Sequence, residues 1–137
     1  MILSAYSLAR IAAHDAGNDA PSAQWRILSI LEENPPMRIG DLARYARTTQ
    51  PGMTRLIGDL DRLGLVSRSA DPNDSRATLV APTRAGLQAL RAWRVELRAA
   101  LAPRFHDVDD DDWRALTRAA EILRDHSTEE IITGGTE

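Results

Sequence analysis

Residues 48–64 read TTQPGMTRLIGDLDRLG, and this stretch decides the fold. Thr49 is placed to cap a helix, and Pro51 falls in the first turn, where its missing N–H is no loss. Apolar residues at i, i+3, i+4 and i+7 predict one buried side: Met53, Leu56, Ile57 and Leu60. The opposite side carries hydrogen-bonding groups, two cations and a glycine: Pro51, Thr54, Arg55, Gly58 and Arg62. This helix therefore has a polar, cationic side that the core does not need.

Three helices are predicted before this stretch and two after it. Apolar spacing places the upstream helices over residues 2–16, 22–33 and 37–46. After the stretch, the runs LVSRSA and ATLVA flank the turn-rich segment DPNDSR and predict a β-hairpin. Thr83 then caps a helix that continues to about Leu101, and a last helix is predicted over residues 113–126. This order predicts a winged helix-turn-helix, mainly α with a small β-hairpin wing.

Composition narrows the class of protein. The length of 137 residues suits one domain, and the absence of cysteine removes disulfides, thiolate metal sites and cysteine redox sensing. No apolar run approaches the roughly 20 residues of a membrane span, so we expect a soluble, cytoplasmic protein without a membrane partner. The net charge of −3 is unevenly spread, because residues 38–84 carry eight arginines and five acids, whereas residues 105–137 carry three arginines and ten acids. The predicted helix-turn-helix region is therefore cationic.

The chain resembles the MarR family of transcriptional regulators over residues 20–86. The resemblance is carried by QW at residues 24–25, QPGMTRLI at 50–57, GLV at 64–66, DPNDSRA at 71–77, and Thr83 with Gly86. It implies a winged helix-turn-helix lobe over residues 20–86, with dimerisation helices in residues 1–19 and 87–137 of a single domain 1–137. It also implies a homodimer on a palindromic DNA operator and a regulator that represses transcription.

Candidate DNA contacts follow from the outward side of the central helix and from the wing. Arginine can pair with guanine and glutamine with adenine in the major groove, so Gln50, Thr54 and Arg55 are candidate base contacts. The recognition-helix set is Thr49, Gln50, Pro51, Gly52, Thr54 and Arg55, with Arg38 and Arg47 as backbone contacts. In the wing set, Arg68, Asp74 and Arg76, the resemblance implies that the arginine of Asp-x-Arg enters the minor groove. A solvated surface charge is the alternative for each arginine, and a merely tolerated glycine is the alternative for Gly58.

Three positions depart from the family pattern at the recognition helix. Arg47 stands where the family usually has glycine, Thr48 stands where it usually has an apolar residue, and Gly52 stands where it usually has threonine or serine. These departures concern operator preference and leave the predicted fold unchanged.

Other functions are weighed against DNA binding. The three histidines lack metal-ligand spacing, no glycine-rich phosphate loop follows a strand, and no nucleophile has a base beside it, so we predict neither an enzyme nor a metal or other cofactor.

The family often binds small aromatic effectors, for which the candidate pocket residues are Tyr6, His14, Trp25, Tyr45 and Trp93; the alternative is simple core packing. A winged-helix protein-interaction module without DNA binding is the other alternative function.

Overall fold

The computed structural model describes residues 2–17 and 22–127, and the predicted domain boundary between residues 19 and 20 lies outside them. The chain forms two compact units, one with the described residues up to Leu101 and one from Ala102 onward. The first unit contains α1 (Ile2–Asp15), α2 (Ser22–Glu33), β1 (Met37–Arg38), α3 (Ile39–Tyr45), α4 (Gln50–Arg62), β2 (Val66–Asp71), β3 (Asp74–Pro82) and α5 (Arg84–Leu101). The second contains a 3-10 turn (Ala102–Phe105) and α6 (Asp110–Ser127). The assignment of residues 1–137 to one domain stays a prediction.

The predicted mainly helical winged fold is confirmed, with one correction before α3. Residues 37–46 were expected to form a helix, but Met37 and Arg38 form a short strand that pairs antiparallel with Val80 and Leu79 of β3. Arg38 has the extended backbone of a helix N-cap, so α3 begins only at Ile39. The sheet is therefore three-stranded, in the order β1-β3-β2, and it joins the start of α3 to the wing.

The core lies between α2, α3, α4, the sheet and α5, and it is almost entirely aliphatic. Its largest fully buried side chains are Leu28, Leu31, Leu42, Met53, Ile57, Leu60, Leu90, Val66 and Val80. The predicted buried side of α4 is confirmed for Met53, Ile57 and Leu60, which have no exposed surface, whereas Leu56 is only partly buried. Each fully buried aliphatic side chain contributes about 1.5–3 kcal/mol relative to an exposed one.

The junction between α4, the sheet and α5 is held by backbone contacts around Leu65. The Thr83 hydroxyl donates to the carbonyl of Gly64 at 2.6 Å and accepts from the N–H of Gly86 at 3.0 Å, which confirms Thr83 as the cap of α5. The N–H of Thr83 also donates to the carbonyl of Leu65 at 3.0 Å. A Cβ atom on Gly86 would lie only 2.0 Å from that carbonyl oxygen. Glycine is therefore required here by the close approach of two backbones.

The turn between α3 and α4 places Arg47 in a left-handed conformation. Its φ is 52°, the one positive value among the described non-glycine residues. The N–H of Arg47 donates to Arg44 and that of Thr48 donates to Ala43, the two bonds of a helix-ending motif that normally uses glycine. For a residue other than glycine, asparagine or aspartate, this left-handed conformation costs about 1–2 kcal/mol. Arg47 therefore occupies a backbone position that a glycine would fill without strain.

Both units leave apolar side chains exposed. On α1, Leu3 and Tyr6 are 81% and 66% exposed. On α6, Leu116 and Leu123 are 45% and 43% exposed, and Trp113 and Ile122 are exposed as well. The two helices at the ends of the described chain therefore carry apolar side chains that the chain by itself does not cover. No helix within residues 2–17 or 22–127 is long and apolar enough to cross a membrane.

Gly86→Ala is expected to destabilise the fold by about 1–3 kcal/mol, because the new methyl group collides with the Leu65 carbonyl. Gly58→Ala is the matched control. A Cβ at Gly58 meets only the Arg68 guanidinium, at an ordinary 3.7 Å, so this change should stabilise α4 by about 1 kcal/mol. Urea denaturation measures the free energy of unfolding of both variants. Equal effects of the two substitutions would show that the contact at Leu65 is not restrictive.

Arg47→Gly is expected to raise the free energy of unfolding by about 1 kcal/mol, because it relieves the left-handed backbone. Arg44→Gly, the same substitution three residues earlier inside α3, should lower it by about 1 kcal/mol. Chemical denaturation of the two variants gives the comparison. A loss of stability in Arg47→Gly would contradict the assigned strain.

Candidate nucleic-acid interface

The first turn of α4 is closed by a side-chain cap. Thr49 has extended backbone angles, and its hydroxyl accepts a hydrogen bond from the N–H of Gly52 at 3.2 Å. A Cβ at position 52 would lie 2.9 Å from that hydroxyl oxygen, so the glycine fits the cap. Pro51 lies in the first turn, as predicted. The cap satisfies one of the orphan N–H groups and defines where the helix begins.

The predicted base-contact side chains project from the protein. Gln50, Thr54 and Arg55 are all exposed: Thr54 and Arg55 project from the outward side of α4, and Gln50 is exposed at its N-terminal end. Thr54 donates its hydroxyl hydrogen to the carbonyl of Gln50 at 2.9 Å, which leaves its oxygen and methyl group facing outward. The Gln50 amide lies beside Gly40, where a Cβ would be 3.5 Å from its Oε1 atom. The start of α3 therefore limits the directions that Gln50 can take.

Ion pairs divide the predicted arginines into two groups. Arg68 pairs with Asp61 of α4 at 3.2 Å, and Arg38 pairs with Asp71 at 2.5 Å. Arg55 and Arg76 are exposed and have no carboxylate partner among the described residues. Arg55 lies on the outward side of α4, and Arg76 lies in the wing. Arg38 and Arg68, which were predicted to contact DNA directly, are each held by a carboxylate.

Arg68 links the wing to the recognition helix. Its guanidinium lies beside Gly58, where an added Cβ would be 3.7 Å away, and it reaches Asp61 one turn further along α4. Its side chain remains 36% exposed. Arg68 therefore braces α4 against β2 and leaves part of its guanidinium at the surface.

Two aspartates order the wing turn between β2 and β3. Asp74 accepts from the backbone N–H of Arg76 at 3.0 Å, so it orders the backbone of the predicted minor-groove residue. Asp71 accepts from the N–H of Asn73 at 2.8 Å and is only 6% exposed. The Asn73 N–H and the Arg38 guanidinium lower the pKa of Asp71. Asp71 is not among the site residues predicted from the sequence, although an aspartate directly before Pro72 is a known signal of this kind of turn.

Three of the five predicted pocket residues come together between α1, α2 and α5. Trp25 and Trp93 stack with ring centroids 5.3 Å apart, and with Tyr6 they line a cavity of about 390 Å³. Arg10 and Arg26 also line it and bring positive charge. The Trp25 Nε1–H is buried without a hydrogen-bond acceptor among the described residues.

The other two predicted pocket residues do not line this cavity. The His14 side chain is 91% exposed and contacts Asp15 at 3.3 Å. Tyr45 is half-buried against the core at the end of α3. The cavity is therefore lined by Tyr6, Trp25 and Trp93 but not by His14 or Tyr45.

No metal site is formed within residues 2–17 and 22–127, where no three histidine, aspartate or glutamate side chains cluster. The acidic run before Trp113 instead begins α6, where Asp109 accepts from the N–H of Asp112 at 2.8 Å. This cap starts the helix at Asp110, three residues earlier than predicted, and places three acids at the N-terminal end of the helix dipole.

Comparison with known proteins agrees with this geometry. Residues 19–77 match the model of the MarR family. The homoprotocatechuate degradative operon repressor of Escherichia coli is 30% identical over 116 residues, which cover 83% of this chain and 78% of the repressor. A MarR mutant from Escherichia coli has the same fold, with a TM-score of 0.75 and 18% identity over 89% of this chain and 91% of that one.

A second solved structure carries nucleic acid. A MepR mutant from Staphylococcus aureus, bound to an oligodeoxyribonucleotide, superposes with a TM-score of 0.66 and 16% identity over 92% of this chain and 94% of that one. Such a likeness establishes the fold. Together with the sequence identity to the repressor and the family match, it shows that the chain belongs to the MarR family of transcriptional regulators, which are DNA-binding proteins and not enzymes.

Proposed function

We propose that the protein binds double-stranded DNA with α4 in the major groove and Arg76 of the wing in the adjacent minor groove. The observation that carries this proposal is the pair of exposed cations, Arg55 and Arg76, that have no carboxylate partner among the described residues. An α-helix with its side chains is about 10–12 Å in diameter, which fits the major groove of about 12 Å, and the 13 residues of α4 extend about 20 Å at ~1.5 Å per residue. Minor-groove arginine is favoured by the concentrated negative potential of narrow A·T-rich DNA.

Each predicted contact has a separate task in this arrangement. Arg55 presents two N–H groups to guanine O6 and N7, and Gln50 pairs with adenine within the range that α3 allows. Thr54 offers a methyl group and a hydroxyl oxygen to base edges. Thr49, Pro51 and Gly52 bring the N-terminal end of α4, which attracts anions, close to a phosphate.

Arg47 contributes a phosphate contact at the cost of backbone strain. It is exposed in the turn directly before α4 and occupies a conformation that favours glycine. Strained backbone positions concentrate where they serve a function. A cation at this position gives affinity without sequence information, because phosphates are the same at every base pair.

The protein acts as a homodimer on a palindromic operator. The exposed apolar side chains of α1 and of α6 are surfaces that a second copy can cover. A two-fold dimer presents two recognition helices about one DNA turn, or ~34 Å, apart, and its operator shares that symmetry.

A small aromatic anion regulates DNA binding by entering the cavity between α1, α2 and α5. The stacked Trp25 and Trp93 provide aromatic surface, and Arg10 and Arg26 provide the positive charge that a carboxylate or phenolate needs. The Escherichia coli relative is named as the repressor of a homoprotocatechuate degradative operon. We infer that this protein also represses transcription and is released from DNA by its ligand.

Arg55→Ala is expected to cost about 1–3 kcal/mol at the cognate operator and to relax the preference at one base pair. The operator is obtained by selecting bound duplexes from a random pool, and a palindrome with half-sites one turn apart also supports the dimer. The control is Arg62→Ala on the same helix, where the arginine pairs with Asp59; it should cause a smaller, sequence-independent loss.

Electrophoretic shifts across salt concentrations measure these effects. Equal weakening of cognate and random DNA by Arg55→Ala would contradict the base contact. Absence of salt-dependent binding to any duplex would favour a winged-helix protein-interaction module instead.

Benzoate is expected to quench the tryptophan fluorescence of the protein and to weaken operator binding, because the cavity pairs aromatic surface with positive charge. Trp93→Phe should reduce the amplitude of the quench, whereas Trp113→Phe, in the other unit, should leave it unchanged. Phenol, a neutral analogue at neutral pH, should bind more weakly. Equal quenching in both variants would place the ligand outside this cavity.

A further inference from the structure

The side chain of Asp71 has two sets of partners on its two oxygens. Oδ1 accepts from the backbone N–H of Asn73 at 2.8 Å, which closes the wing turn. Oδ2 accepts from Arg38 Nε at 2.7 Å, and Arg38 Nη2 lies 2.5 Å away. The carboxylate is 6% exposed, whereas the Arg38 side chain is 42% exposed. One buried carboxylate thus joins the turn of the wing to a residue outside the hairpin.

Arg38 belongs to the helix-turn-helix and not to the wing. It is the last residue of β1 and the N-cap of α3, and it pairs with Leu79 on the side of β3 away from β2. On the other side of β3, Leu79 pairs with Ser69 of β2. Asp71 lies two residues beyond Ser69 toward the tip of the hairpin, after an irregularity in the pairing of β2 with β3. The Arg38 side chain therefore spans β3 diagonally to reach the end of β2.

This diagonal contact supports the part of the sheet that has only two strands. β1 pairs only with Val80 and Leu79, so the segment from Asp74 to Thr78 has β2 as its single neighbour. A two-stranded hairpin is marginally stable by itself. The Arg38–Asp71 pair adds a side-chain connection to the helix-turn-helix at the place where the third strand has ended.

The connection continues to the residue that faces DNA. Asp71 and Asp74 are partners in the register of the hairpin, and Asp74 accepts from the N–H of Arg76 at 3.0 Å. We propose that Arg38 and Asp71 are positioning residues: their ion pair sets the place of the wing turn, and through Asp74 that of Arg76, relative to α3 and α4. This inference rests on the proposed minor-groove role of Arg76, and it replaces the predicted phosphate contact of Arg38.

A direct phosphate contact of Arg38 and a positioning role of Arg38 predict different effects of changing Asp71 on DNA binding. If Arg38 contacts a phosphate directly, removal of the Asp71 charge releases the cation and leaves DNA binding equal or stronger. If Arg38 acts through the wing, loss of either partner has the same effect. Asp71→Asn is a suitable change, because the amide oxygen of asparagine still accepts from the Asn73 N–H while the ionic contact is lost.

The experiment compares Asp71→Asn, Arg38→Gln, the double variant, and the conservative Arg38→Lys. Amide hydrogen exchange of the free protein measures opening of residues 66–80. Binding to the selected operator with A·T-rich or G·C-rich flanks, across salt concentrations, measures the position of Arg76. Arg94→Gln is the control, since the Arg94 side chain is 37% exposed, close to that of Arg38, and forms an ion pair with Glu32 between α5 and α2.

We expect both single variants to speed exchange in the wing and to weaken binding on A·T-rich flanks by about 3- to 10-fold, less than Arg76→Ala does. The double variant should be no weaker than either single variant, and Arg38→Lys should recover part of the loss. Arg94→Gln should change neither wing exchange nor flank preference.

Two results would overturn the positioning role. The first is unchanged wing exchange in Asp71→Asn and Arg38→Gln. The second is a loss of affinity in Arg38→Gln alone, uniform on both flanks and with a reduced salt dependence, which is the signature of a direct phosphate contact. The minor-groove proposal is tested separately: if Arg76→Ala binds both flanks with equal loss, that contact is wrong, while hydrogen exchange still decides whether the ion pair holds the wing.

Discussion

The direction in which α4 points its polar side depends on the burial of its other side. Met53, Ile57 and Leu60 are completely buried among aliphatic side chains of α2, α3, α5 and the sheet. Rotating the helix to hide Thr54 and Arg55 would expose these three residues, at a cost of about 1.5–3 kcal/mol each. The polar side of α4, which is proposed to contact DNA, is therefore held in place by buried side chains that do not contact DNA.

Charge pairing then decides which arginines are available to the nucleic acid. The lobe is rich in arginine, but Arg38 and Arg68 are used to connect the wing to the helix-turn-helix. The pair on the wing and the pair on the helix use different aspartates, Asp71 and Asp61, so each connection can be removed without the other. In the proposed arrangement Arg55 and Arg76 recognise DNA, and the paired Arg38 and Arg68 hold the wing and α4 in position.

Two local features show how tightly the lobe is constrained. Gly86 lets the start of α5 touch the backbone of Leu65, so the dimerisation helix predicted after the wing begins at a rigid junction. Arg47 accepts a strained backbone in the turn before α4. One position uses glycine because nothing else fits, whereas the other carries arginine where glycine would be more stable. The phosphate contact proposed for Arg47 gives a reason for the second choice.

The sequence by itself determined the helices, the hairpin, the caps at Thr49 and Thr83, and the buried side of α4, because these follow from spacing and local hydrogen bonding. It also placed Thr54 and Arg55 on the exposed side of α4, with Gln50 exposed at the N-terminal end of the helix. The tertiary contacts decided that Met37 and Arg38 form a strand, that Asp71 and Arg38 pair across β3, and that the cavity beside the stacked tryptophans is not lined by His14 or Tyr45. Each of these depends on contacts between residues that are distant in the chain, and the periodicity of the sequence does not indicate such contacts.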